Sequence, residues 1–220
     1  MSYKSTSKPA SNRPIDSKQE RVIMEFLSKY LYAKAYPEHE IVEDRDLQLK
    51  GVDISIPLPS GTEYHDAKAQ ASKLYINNPT QTFSMELLFD HNDSECVGWF
   101  LRPGLLTHVY ALCWVNRAKV NAHGYIDNAD DIEELEVMLL DKQELKGFIN
   151  TYFYDEALYA TAQKMRAQGT TRLFLNDAMY MVYSDKLNER PVNLVVKKWA
   201  LEKCAYEHFK VRKDSVTSLM

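Results

Sequence analysis

Three ionisable residues, Asp53, Asp66 and Lys68, fall within one stretch, LQLKGVDISIPLPSGTEYHDAKAQA, residues 47–71. Two short apolar runs flank a Pro-Ser-Gly-Thr turn, so the stretch predicts a β-hairpin with all three charges on paired strands. On the second strand, Tyr64, Asp66, Lys68 and Gln70 share one face and Ala67, Ala69 and Ala71 the other. A turn centred on Ser60 and Gly61 sets Asp53 opposite Lys68, and a slip of two sets it opposite Asp66. In either register the acids and the lysine converge within about 8 Å. Burying two carboxylates beside an ammonium is unfavourable unless a cation or a phosphate belongs to the design. Phosphodiester hydrolysis has that need: a cation near the phosphate, an oriented water and charge relief on the leaving oxygen.

A fourth carboxylate comes from upstream. Asp16 or Ser17 caps a predicted helix running to about Ala35, with Val22, Ile23, Phe26, Leu27, Tyr30 and Leu31 as one apolar stripe. At about 100° per residue, Glu20 lies roughly 20° from Leu27 and faces the protein, whereas Glu25 points to water. Glu20 also reads as a simple complement to the helix dipole. Asp66 and Lys68 likewise read as an ordinary surface pair, and Asp53 as a strand-edge charge.

Asp53, a twelve-residue interval and then Asp66-Ala67-Lys68 resemble the PD-(D/E)XK nuclease superfamily, with Val52 in place of the motif's proline. The resemblance covers residues 16 to about 115. It implies a restriction endonuclease-like αβββαβ core and a Mg²⁺ or Mn²⁺ ion held by Asp53, Asp66 and the Ala67 carbonyl. It further implies Lys68 as the catalytic lysine, Glu20 as a helix acid acting with the metal, Gln70 as a strand glutamine, and DNA as substrate. Glu86 is a peripheral candidate. Many such enzymes are homodimers. A non-catalytic nucleic-acid or protein-binding member of the same fold, or an RNA-processing nuclease, are the alternatives.

The remaining sequence sets the scaffold. Its 220 residues, 45% hydrophobic with 11% aromatic, suit one α/β domain over 15–220, a central mixed sheet flanked by helices. Residues 1–14, rich in Ser, Lys and Pro, predict a disordered basic tail. A net charge of −4 supplies no global field for nucleic acid, so any such contact must be local. The three widely spaced cysteines, Cys96, Cys113 and Cys204, predict buried free thiols and a reducing cytoplasm. No apolar run is long enough for a membrane span, and a soluble, membrane-free protein is expected.

Leu47 and Leu49 alternate out of phase with Val52, Ile54 and Ile56, so Gly51 predicts a bulge within the first strand. With 82–89, Cys96–Leu101 and Thr107–Val115 as further strands, residues 47–115 form a predicted sheet meander of about five strands. His65 reads as a satisfied semi-buried histidine, and Trp99, Tyr110 and Trp114 as core. The acids of 127–136 predict a solvated connection. Asp141 opens a helix to Asn150, and Asp155–Gln168 forms another, closed by Gly169. Residues 172–183 and 191–196 are strand-like, and 197–209 predicts a final helix.

Overall fold

The structure, a computed structural model, describes residues 13–220. Helix α1 (Arg13–Leu27) starts slightly ahead of the expected cap and continues through a π turn, Ser28–Tyr32, into a last α-helical turn, α2 (Ala33–Ala35). Of the segment expected to be a tail, residues 1–12 lie outside the described residues, while Arg13 and Pro14 belong to α1. The apolar stripe is buried as its spacing demands, and it shares a core with Ala67, Ala71, Ala111 and Cys113. The alanines leave room for the helix to lie close, and each buried Leu, Ile or Phe contributes about 1.5–3 kcal/mol.

A short strand β1 (Glu40–Ile41) precedes helix α3 (Arg45–Leu49). This corrects the strand expected at Leu47 and Leu49. The Asp44 carboxylate accepts from the N–H groups of Asp46 and Leu47 at 2.8 and 3.1 Å, an N-cap that two alternating leucines do not outweigh. Gly51, at φ +74°, ends that helical turn rather than forming a bulge. Strands β2 (Ile54–Leu58) and β3 (Gly61–Gln70) then form the predicted hairpin. Ile54 lies opposite His65 and Leu58 opposite Gly61, so the turn centres on Pro59 and Ser60. Continued by one residue, that register sets Asp53 opposite Asp66, the second of the two anticipated alignments.

The chain next forms β4 (Thr82–His91), β5 (Ser94–Val97), β6 (Val109–Ala118) and β7 (Ile132–Asp141). Helices α4 (Lys142–Asn150) and α5 (Asp155–Gln168) follow, closed as expected by the Asp141 cap and by Gly169 at φ 65°. The chain ends with β8 (Arg172–Phe174), β9 (Met179–Tyr183), β10 (Val192–Lys197), α6 (Lys198–Glu202), β11 (Ala205–Val211) and β12 (Val216–Ser218). One sheet has the order β1-β2-β3-β6-β7-β11-β12 and the other β5-β4-β10-β9-β8. The architecture is α/β, with a mixed sheet in which β3 and β6 run parallel.

Four expectations are corrected by this arrangement. Residues 47–115 are not one meander, because β4 and β5 join the second sheet and β6 returns directly beside β3. The run Val109–Val115 is buried on both faces, which suits a central strand. Strand β5 stops at Val97 because the chain folds down onto β4 there; a Cβ on Gly98 would stand 2.2 Å from the Glu86 carbonyl oxygen. The acids of 127–136 are not all solvated: Glu134 and Glu136 lie on β7, paired with Arg212 and with Lys198 and His208. The expected last helix is only the five residues of α6, since β7 recruits 205–211 as its neighbour β11.

Two apolar cores result. One joins α1 to the alanine face of β3. The other joins Tyr110, Leu112 and Trp114 of β6 to Phe83 and Met85 of β4 and to Leu158 and Met165 of α5. The strand carrying Asp66 and Lys68 runs between them.

Candidate functional site

The site forms at a fork. Beyond the Ile54–His65 pair, β2 turns away from β3, and Asp53 stands in the opening. Its backbone N–H still donates to the His65 carbonyl at 2.9 Å, while its Oδ2 accepts the N–H of Ala67 at 2.9 Å. One carboxylate oxygen thus serves as the strand edge that β3 has lost.

Asp66 is 1% exposed. Its Oδ1 accepts from Lys68 Nζ at 2.6 Å, and its Oδ2 is buried with no hydrogen-bond partner. Gly51 makes room for that orphaned oxygen. A Cβ there would come within 3.3 Å of it and within 2.4 Å of Thr107 Oγ1, which donates to the Gly51 carbonyl at 2.7 Å.

Electrostatics reinforce the geometry. Burial pushes the Asp66 carboxyl up to about 8; Lys68 pulls it down, and the charge of neighbouring Asp53 pushes it up. Burial also opposes the charge on Lys68, but Asp66, Asp53 and Glu20 outweigh it and hold the ammonium above its usual range. Glu20 is raised first by burial, then lowered by Lys68 and raised again by Asp53. Asp66, Asp53 and Glu20 thus all favour the charged form of Lys68, and burial favours the protonated form of Asp66.

Glu20, Asp53 and Lys68 line one cleft of about 670 Å³, with Arg45 and Gln48 on its wall. Glu25 is exposed and pairs with Arg21 at 3.5 Å, and both also line this cleft, so helical phase separates the two glutamates by burial and not by the cleft they face. Among the described residues no group of three or more His, Cys, Asp or Glu side chains is gathered to hold a metal ion. Glu20 accordingly lines the cleft without completing a cluster around Asp53 and Asp66. Magnesium needs only one or two carboxylates and keeps several waters. The adjoining pair, with its orphaned Oδ2, fits that habit.

Gln70 is buried and engaged elsewhere: its Nε2 donates to the Thr82 carbonyl at 2.7 Å and its Oε1 accepts from Thr80 at 2.8 Å. Glu86, on β4, is near enough to Glu20 to raise its pKa. His65 is buried, its ring nitrogens bonded to Tyr32 Oη and Glu63 Oε1, each at 2.8 Å. All three cysteines are free, and Cys113 alone of them is fully buried.

Two neighbours were not anticipated from sequence. Trp99 places its ring centroid 5.8 Å from Lys68 Nζ, and Tyr110, opposite Asp66 on β6, buries a hydroxyl with no partner. Both had read as plain core, and only the parallel β3–β6 pairing brings Tyr110 to the site.

Comparison with family models, curated proteins and solved structures finds no match to this chain. No helix among the described residues is long and apolar enough to cross a membrane.

Proposed function

We propose that this chain is a metal-dependent nuclease that hydrolyses DNA phosphodiester bonds, with a site of PD-(D/E)XK type. The observation that supports it best is the buried Asp66 carboxyl, its Oδ2 without a hydrogen-bond partner and Lys68 on the opposite oxygen, with Asp53 opposite it in the hairpin register. Asp53, Asp66 and the Ala67 carbonyl would hold Mg²⁺ or Mn²⁺. When bound, such an ion polarises a phosphoryl oxygen and lowers the pKa of a coordinated water.

The chain's own residues supply the rest. Lys68, kept charged by its three acids, orients the attacking water and offsets negative charge growing on the phosphorus oxygens. Glu20 faces the same cleft and positions a water opposite Asp53. The hairpin β2–β3 and the parallel strand β6 are the parts available to a restriction endonuclease-like core. The route between β3 and β6 departs from αβββαβ, since it contains β4 and β5 and no helix among the described residues. DNA is the substrate in this reading, and a homodimer would place one such site on each strand of a duplex.

Plasmid nicking with Mn²⁺ or Mg²⁺, against EDTA and against Asp66→Ala and Lys68→Ala, tests the reading. Each substitution should slow cleavage roughly 10²-fold or more. Cleavage indifferent to both would sink the site, and metal binding without cleavage would favour a non-catalytic binding protein.

A further inference from the structure

We infer that the outer face of the second sheet is a platform for single-stranded nucleic acid that leads into the cleft, an inference that rests on the nuclease reading. Residues directly opposite one another on antiparallel strands share a face. Pairing of Glu86 with Asn193, Asn193 with Val182, and Val182 with Arg172 draws one row across the sheet. The next row runs Ser84, Val195, Tyr180, Phe174. Helix α5 packs on the opposite face, where Leu158 and Met165 meet Met179, Met181 and Leu194.

The two rows begin beside the site's own strand: Gln70, two residues beyond Lys68 on β3, donates to the Thr82 carbonyl of β4 at 2.7 Å. They end three strands away, about 14 Å at the usual strand spacing. At that end Phe174 is 72% exposed, its ring 5.8 Å from that of Tyr180. The Arg172 guanidinium lies 4.8 Å from the Tyr180 ring centre and 5.8 Å from that of Phe174.

Val195 in the middle of the face is buried, and the aromatic rings interleaved with a guanidinium at its exposed β8 end match the needs of an unpaired strand. Bases stack on the rings whatever their identity, and the cation meets phosphate. Lys197, opposite Thr82, adds positive charge on the same face, and the acid Glu86 stands at its β4 end. The chain's net charge of −4 makes such a local patch the route by which a polyanion would be held.

The test is fluorescence anisotropy of labelled oligo(dT) with the full chain in EDTA, where cleavage is suspended. Phe174→Ala and Tyr180→Ala should each weaken binding roughly tenfold, and Phe174→Trp should retain it. Arg172→Ala should also flatten the salt dependence by about 0.7 in log–log slope, the share of one phosphate contact. Affinity unmoved by all of these changes overturns the platform even when the protein cleaves DNA with Mn²⁺. Tight, Phe174-dependent oligo(dT) binding by a protein that never cleaves keeps the platform and removes the nuclease reading. A concentration-dependent dimer abolished by Phe174→Ala, without oligo(dT) binding, assigns the exposed β8 edge to a second copy and overturns the inference.

Discussion

The Asp53 carboxylate accepts the Ala67 N–H at 2.9 Å, the bond a neighbouring strand would otherwise make. The hairpin therefore opens without leaving a bare donor at the fork, and the same side chain that seals the edge stands beside Asp66. Structural and chemical demands meet in one residue.

The raised pKa of Asp66 fixes a direction for stability against pH. Folded Asp66 holds its proton up to about 8, whereas the unfolded group loses it near 3.8. Its favourable contribution is thus fully present below that lower value and is lost as pH rises towards 8. In EDTA the melting temperature should fall between pH 5 and 8, and Asp66→Asn should flatten that fall. A wild-type curve that rises over this range, with no flattening in the variant, would count against a buried protonated carboxyl.

Metal uptake at the proposed site would displace that proton. Apparent Mg²⁺ or Mn²⁺ affinity should climb by up to tenfold per pH unit below about 8 and then level off. Calorimetry in two buffers of different ionisation enthalpy checks this, with about one proton released per ion at pH 7 expected.

Gly51→Ala should be destabilising by about 2–4 kcal/mol, since it combines left-handed backbone with a clash. The new methyl would sit 2.4 Å from Thr107 Oγ1, and φ is already +74°. Adding Thr107→Ala should recover only part of the loss, because the backbone strain remains. Urea midpoints of the single and double variants measure both parts.

Glu20→Gln should slow cleavage about 10- to 100-fold. Glu25→Gln, exposed and paired with Arg21, should leave the rate unchanged. Equal effects from the two substitutions would mean that helical phase does not select the functional acid.

Away from the cleft, Glu136 accepts from Lys198 at 3.0 Å and from His208 at 2.8 Å. Burial alone would raise its carboxyl, but these two partners overcome that and hold it down at about 2. The group stabilises the fold above its ordinary pKa, and that support is lost as pH falls towards 2. Glu136→Gln should lower stability by about 3 kcal/mol near neutrality by leaving Lys198 buried without its counter-charge. Denaturant unfolding at pH 7 and pH 3 should show the difference shrinking in acid.

The hairpin, the helix phase and the caps at Asp141 and Gly169 were legible in sequence because each is decided by neighbours a few residues apart. Asp53, Asp66, Lys68 and the inward Glu20 follow from such local periodicity. The allocation of strands between sheets was not, since β3 pairs with β6 across an intervening excursion and no local pattern encodes a parallel partner. For the same reason Tyr110 read as core. Strand β11 was masked by helix-like spacing before it, and its pairing with β7 overrode local propensity. Glu134 and Glu136 looked solvated because their cationic partners lie far along the chain.

The detour through β4 and β5 also sets an order of events. The β2–β3 hairpin leaves the synthesis machinery well before β6, so its acids and lysine are first exposed to water, where their charges are harmless. The desolvation of Asp66 is deferred until β6 lays Tyr110 against it. Enclosure of the Asp66 carboxyl therefore waits on a strand made after the β4–β5 excursion, with β7 to β12 still to follow.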